Sequence, residues 1–90
     1  MKAKILKENR REIEFEIEGE TFSVASLLND YLLKQNEVSS SYKVEHYLIP
    51  NSKIFVKTED EPPRKALRKA INAIVNDLAE LEESIKRSEE

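Results

Sequence analysis

The chain has no cysteine, no tryptophan, one glycine and one histidine among its 90 residues. Without cysteine it cannot form a disulfide framework, a thiolate zinc site or a cysteine nucleophile, which fits a reducing cytoplasm. The single glycine, Gly19, excludes glycine-rich phosphate loops. With His46 as the only histidine, a catalytic metal site would have to rest on carboxylates. We therefore predict neither a metal nor a cofactor.

Two further absences concern membranes and nucleic acids. No apolar run approaches the ~20 residues that span a bilayer, and residues 1–7 lack the apolar core of a signal peptide. Fifteen basic residues against eighteen acidic ones give a net charge of −3, whereas nucleic-acid-binding proteins usually carry a basic excess. We expect a cytoplasmic protein that makes no direct contact with nucleic acid or membrane.

We predict a single domain, residues 1–90. Its first eighteen residues contain two predicted strands. Residues 2–8 are β-prone, and residues 12–18 alternate strictly between glutamate and apolar residues. This alternation predicts an antiparallel strand with Ile13, Phe15 and Ile17 on a covered face and the glutamates in water. The glutamates would repel one another unless lysines of neighbouring strands lie opposite them. The candidate lysines are Lys2, Lys4, Lys43, Lys53 and Lys57.

The middle of the chain is predicted to contain a helix and two more strands. Ser23 is a suitable N-cap for a helix that runs to about Gln35. The apolar face of this helix comprises Val24, Leu27, Leu28 and Tyr31. A third strand is predicted over Val38–Tyr47, a loop over residues 48–52, and a fourth strand over Lys53–Lys57.

The last predicted element is a helix that begins near Pro63 and continues almost to the end. Its apolar residues are spaced four, three, four, three and four apart, which is typical of a helix packed along another helix. These residues are Leu67, Ile71, Ile74, Leu78, Leu81 and Ile85. The helix would be roughly 40 Å long, whereas strands of this size span only ~20 Å. Its distal part, with Leu78, Leu81 and Ile85, is therefore predicted to contact another chain. Leu67, Ile71 and Ile74 fit either the core or the interface.

The residues that could carry catalysis have simpler explanations. The glutamates of residues 12–18 lie on a solvated strand face, where nothing apolar would raise a pKa. His46 fits a half-buried histidine bonded to backbone at a strand end. The serines at residues 39–41 lack a nucleophile elbow, and they fit a small-residue edge or a close contact with another chain. We predict no catalytic residue.

Four stretches carry a resemblance to a known family. They are residues 14–20 (EFEIEGE), 23–28 (SVASLL), 42–48 (YKVEHYL) and 63–70 (PRKALRKA). In order, spacing and length they resemble subunit L of archaeal DNA-directed RNA polymerase over nearly the whole chain. The resemblance and the predicted elements together imply an α+β fold, a two-layer β-β-α-β-β-α sandwich of the DCoH-like type. Its four-stranded, largely antiparallel sheet would carry two helices on one face, the C-terminal one long.

The sequence departs from the family pattern at three positions. Phe22 stands where the family has a histidine, Ser26 where it has an asparagine, and Tyr47 where it has a proline. The apolar residues Val24, Leu27 and Leu28 are retained, so the packing role of the first helix is expected to remain.

The resemblance implies a non-catalytic role in transcription. Family members pair through their helices with the D subunit of the same RNA polymerase, using the dimerisation fold of the bacterial polymerase alpha subunit. This heterodimer, with the N and P subunits, is the platform on which the large catalytic subunits of the nucleotidyltransferase assemble. The subunit interface is accordingly predicted at Val24, Leu27, Leu28, Tyr31, Ile71, Ile74, Leu78, Leu81 and Ile85.

Two other classes of protein share this layout. One is a homodimeric scaffold or binding module unconnected with transcription. The other is an enzyme such as a pterin carbinolamine dehydratase, whose site is expected to need several histidines, whereas His46 is the only one here.

Overall fold

Six elements make up the structure, a computed structural model that describes residues 1–19, 23–44 and 51–89. They follow the predicted order and confirm the α+β class. The elements are β1 (Lys2–Glu8), β2 (Glu12–Glu18), α1 (Ser23–Leu33), β3 (Val38–Lys43), β4 (Asn51–Thr58) and α2 (Pro63–Ser88).

The four strands form one antiparallel sheet in the order β1-β2-β4-β3. On β2 the apolar residues Ile13, Phe15 and Ile17 are buried, as the alternation predicts. The glutamates of β2 occupy the opposite face, where the register sets lysines beside them. Glu16, for example, lies between Lys4 of β1 and Lys53 of β4. The outer face of the sheet is therefore ionic, and the inner face is apolar.

Strand β1 forms an edge of the sheet and is the least covered element. All seven of its residues are exposed, and a β-bulge interrupts its pairing with β2 between Ile5 and Lys7. The buried core is instead built over β2 and β4, where Ile54 and Val56 lie beside the β2 residues. The inner face of β1 is thus left open beside the helices.

The two helices pack against the inner face through small and branched side chains. Helix α1 contributes Ala25, Leu28 and Leu32 to the core, and α2 contributes Ala66 and Ala70. The alanines of α2 carry short side chains, so this helix can approach its neighbours closely at its first two turns. A hydrogen bond also links the turn after α1 to α2, where Gln35 Nε2 donates to the carbonyl oxygen of Ala66 at 2.8 Å.

Three predicted elements have different boundaries in the structure, and β4 differs at both ends because it continues to Thr58. Strand β4 begins at Asn51 rather than Lys53, because Asn51 pairs with Glu18 and its side chain donates to Glu16 Oε1 at 2.8 Å. Helix α1 ends at Leu33, two residues before Gln35. The chain then turns into β3 through Glu37, whose φ of 62° is incompatible with a helix.

The third element is β3, which ends at Lys43 and leaves Val44 outside the strand. The rest of the predicted strand, including His46 and Tyr47, lies outside the described residues, as does Phe22. At the end of β2, Gly19 has the positive φ of 85° that glycine adopts without strain.

Candidate subunit interface

Helix α2 carries a row of exposed apolar side chains along most of its length. We call this row the α2 strip; its side chains are between 50% and 58% exposed, and they are Ile71, Val75, Leu78, Leu81 and Ile85. Large apolar residues that lie in a continuous row on a helix are typical of an interaction surface rather than of scattered surface residues. The structure therefore leaves an apolar surface that this chain does not cover.

The distal part of α2 extends beyond the rest of the domain. At 1.5 Å per residue, its 26 residues span about 39 Å. The last side-chain hydrogen bond between α2 and another described element joins Tyr31 to Asp77. After Asp77, the bonds of the described residues stay within the helix, as in the ion pairs Glu82–Lys86 and Glu83–Arg87. We call residues 78–88 the overhang.

A groove of about 640 Å³ adjoins the proximal end of the strip. It opens where the helices leave the inner face of β1 uncovered. Its walls come from β1, β2, α1 and α2, and include Ala3, Ile5, Phe15, Val24, Leu27, Leu67 and Ile71. We call it the apolar groove. Because Ile71 belongs to both features, the groove and the α2 strip form one continuous apolar surface.

On α1, the predicted interface residues fall into two groups. Leu27 is 42% exposed and Val24 is half-buried, and both line the apolar groove. Leu28 is only 6% exposed, so it mainly serves the core of this chain and reaches the groove at its floor. Tyr31 is half-buried against the core and contacts α2.

On α2, the structure shows which of the three residues that the sequence assigned to neither core nor interface are buried and which is exposed. Leu67 and Ile74 are partly buried against the core, whereas Ile71 is half exposed. Leu78, Leu81 and Ile85 are exposed, as the helix-length argument predicted. The spacing missed Val75, which lies four residues after Ile71 and three before Leu78. These two spacings place Val75 on the same side of the helix as Ile71 and Leu78, and they could have identified it from the sequence.

The contact between Tyr31 and Asp77 fixes how α2 leaves the domain. Tyr31 Oη donates to Asp77 Oδ2 at 2.6 Å. The Asp77 carboxylate accepts this bond and thereby raises the pKa of the Tyr31 phenol, with desolvation adding to the effect. The Lys34 ammonium lies 4.1 Å from the centre of the Tyr31 ring, in cation–π geometry. Tyr31 therefore holds the base of the overhang.

Neither a cluster of metal ligands nor a membrane-spanning helix is found among the described residues. Within residues 1–19, 23–44 and 51–89, no group of three or more histidine, aspartate or glutamate side chains could hold a metal ion. No helix in that part of the chain is long and apolar enough to cross a membrane. Residues 39–41 lie on β3, and Ser39 and Ser41 are exposed there. The apolar groove and the α2 strip are the prominent surface features.

Comparison with known proteins identifies the family. A family model described as the RNA polymerase Rpb3/Rpb11 dimerisation domain matches residues 12–84. The chain belongs to this family. Together with the relatives and the solved structure described next, this match confirms the predicted resemblance to archaeal subunit L. The family match includes α1 and most of α2, whereas β1, which forms one wall of the apolar groove, precedes it.

Two relatives align with nearly the whole chain. DNA-directed RNA polymerase subunit Rpo11 of Sulfurisphaera tokodaii is 35% identical over 91 residues, covering 99% of this chain and 98% of the relative. Subunit Rpo11 of Pyrobaculum aerophilum is 34% identical over 83 residues, covering 91% and 90%.

A solved structure supports the fold. The crystal structure of DNA-directed RNA polymerase subunit L from Thermoplasma acidophilum matches with a TM-score of 0.86 at 18% identity, covering 97% of this chain and 87% of that one. At this identity the match speaks for the fold alone.

Proposed function

We propose that this chain is a non-catalytic assembly subunit of DNA-directed RNA polymerase that forms a heterodimer with the D subunit of that enzyme. The observation that carries the proposal is the overhang of α2, where Leu78, Leu81 and Ile85 are each more than half exposed. Membership of a dimerisation-domain family supports it, as do relatives named subunit Rpo11. The partner's helices would pack on the α2 strip and in the apolar groove.

The size of the apolar surface suits a stable partner. Fully burying one large aliphatic side chain contributes about 1.5–3 kcal/mol. The five residues of the α2 strip are about half buried already, so covering them would contribute roughly 4–7 kcal/mol. Association costs on the order of 4–15 kcal/mol, so the strip alone would at best balance the lower end of that cost. The apolar groove supplies the additional area.

In the assembled enzyme the heterodimer would act as a platform. Together with the N and P subunits, it would position the large catalytic subunits, which perform the nucleotidyl transfer of transcription in the cytoplasm. This chain would supply apolar helix faces rather than a catalytic residue. Its net charge of −3 agrees with a role that needs no direct contact with nucleic acid.

A double substitution on the overhang tests the proposal. Leu78→Asp with Leu81→Asp should abolish co-purification with the co-expressed D subunit, because two carboxylates cannot be buried in an apolar contact. The thermal unfolding of the isolated chain should change little, since the overhang makes no side-chain bond to another described element. The matched control is Asn76→Asp with Ser84→Asp, which adds the same charge to exposed positions of α2 outside the strip. Wild-type yield of the complex with the Leu78 and Leu81 variant would contradict the proposal.

Light scattering distinguishes the D subunit from a second copy of this chain as the occupant. We expect the chain alone to self-associate weakly or to be only marginally stable, and to form a one-to-one complex when the D subunit is added. A stable homodimer that ignores the D subunit would overturn the heterodimer and favour the scaffold module.

A further inference from the structure

The apolar groove has a cationic side that the chain itself neutralises only in part. Arg64 and Arg68, one turn apart on α2, both line the groove. Arg64 is neutralised within the chain, because its Nε and Nη2 donate to the two carboxylate oxygens of Glu8 at 2.5 and 2.8 Å. Arg68 is exposed, and the structure gives it no carboxylate within 4.0 Å among the described residues.

Elsewhere on α2 the charged side chains are largely paired internally. Lys65 and Lys69 both reach the carboxylate of Glu61. On the overhang, Glu82 and Glu83 pair with the basic residues one turn later. Arg68 is therefore an unneutralised cation beside an apolar surface, at the place where a partner would exclude water.

Filling the groove would change the surroundings of Arg68. Alone, the chain leaves its guanidinium hydrated. A partner seated between β1 and α2 would remove part of that hydration, and an unpaired charge that loses water is strongly unfavourable. A carboxylate on the partner would replace the lost water with a charge-assisted hydrogen bond, for which the planar guanidinium is well suited.

We propose that Arg68 is a specificity-determining residue of the interface, and that the partner segment that fills the groove carries an aspartate or glutamate beside its apolar side chains. This inference rests on the proposed function and adds the chemistry of the partner. Partner segments that are apolar but lack the carboxylate, or that carry a lysine or arginine there, would be rejected. The apolar surface would supply affinity, and Arg68 would select the partner.

Charge reversal at this position tests the inference. Arg68→Glu should weaken binding of the D subunit by about 10- to 100-fold, as expected when one partner of a close interfacial charge pair is reversed. Arg68→Met, which keeps much of the aliphatic length, should weaken binding less and should reduce the loss of affinity that added salt causes. Lys43→Glu is the matched control, because it makes the same charge change at an exposed residue on the outer face of the sheet.

The readouts separate this inference from the function on which it rests. Suppose that Arg68→Glu binds the D subunit as tightly as wild type while Leu78→Asp with Leu81→Asp does not bind. The inferred carboxylate opposite Arg68 is then wrong, and the proposed heterodimer is still supported. If neither variant changes binding, the heterodimer through this surface is itself wrong. Circular dichroism of the Arg68 variants should match wild type, since Arg68 makes no ion pair to lose among the described residues.

Discussion

The phenol of Tyr31 on α1 and the carboxylate of Asp77 on α2 are joined by a 2.6 Å hydrogen bond at the point where α2 leaves the domain. The two residues are 46 positions apart in sequence, so the bond couples the direction of the overhang to the position of α1. Both helices line the apolar groove. The bond therefore sets the relative position of the two halves of the proposed interface.

Removing this bond should loosen the base of the overhang. Tyr31→Phe keeps the ring beside Lys34 and deletes only the donor, so we expect a small decrease in the urea midpoint of unfolding. Affinity for the D subunit should fall as well, because the overhang is less well positioned. Asp77→Asn retains an acceptor and should have the weaker effect. Unchanged stability and unchanged affinity in Tyr31→Phe would contradict this role.

Two adjacent leucines at the end of α1 should differ sharply in their contribution to stability. Leu32 is fully buried and Leu33 is 52% exposed. Leu32→Ala should lower the free energy of unfolding by about 2–5 kcal/mol, because it leaves a cavity in the core. Leu33→Ala should cost less than about 1 kcal/mol, since it removes only partly buried surface. Chemical denaturation of the two variants checks the burial pattern, and equal losses would contradict it.

A pair of carboxylates in the turns beside the core should make stability depend on pH. The side chain of Asp60 raises the pKa of Glu37 above the ordinary value of a glutamate, through a hydrogen bond and through charge repulsion. The folded state therefore holds its proton at a pH where the unfolded state has released it. Stability contributed by this group is present below the unfolded pKa, about 4.3, and is lost as the pH rises through the folded pKa.

Neutralising Glu37 should remove this loss. Glu37→Gln should unfold at a higher temperature than wild type at pH 7, and the difference should shrink towards pH 4. The substitution leaves the positive φ of position 37 in place, so it isolates the charge effect from backbone strain. Glu80→Gln is the control for net charge on an exposed helix position. A gain of equal size at both pH values would indicate a cause other than the shared proton.

The parts of the fold that follow from local pattern could be predicted. The alternation of residues 12–18 indicated which side of β2 is buried, and the spacing of apolar residues from Leu67 to Ile85 identified α2 as one long helix with an apolar face. The comparison of helix and strand lengths correctly predicted that Leu78, Leu81 and Ile85 are exposed. Each of these conclusions depends on the sequence of one element or on a comparison between the lengths of two elements.

The parts that depend on how elements meet could not be predicted. Leu28 and Leu27 have the same side chain on the same helix, yet one is buried and the other exposed. Only the crossing of α1 over the sheet decides between them. The apolar groove exists because β1 is left uncovered, and this follows from the strand order β1-β2-β4-β3, which no local pattern encodes. The start of β4 at Asn51 likewise depends on its pairing with Glu18.

The central claim is that a helix of the D subunit covers the overhang of α2, and amide hydrogen exchange tests it most directly. A helix end without tertiary contacts opens readily, so its amides exchange quickly. We predict fast exchange at residues 78–88 in the free chain and strong protection there once the D subunit is bound, whereas the amides of β2 should be protected in both states. Overhang amides that exchange equally fast in the free chain and in the complex would contradict the account.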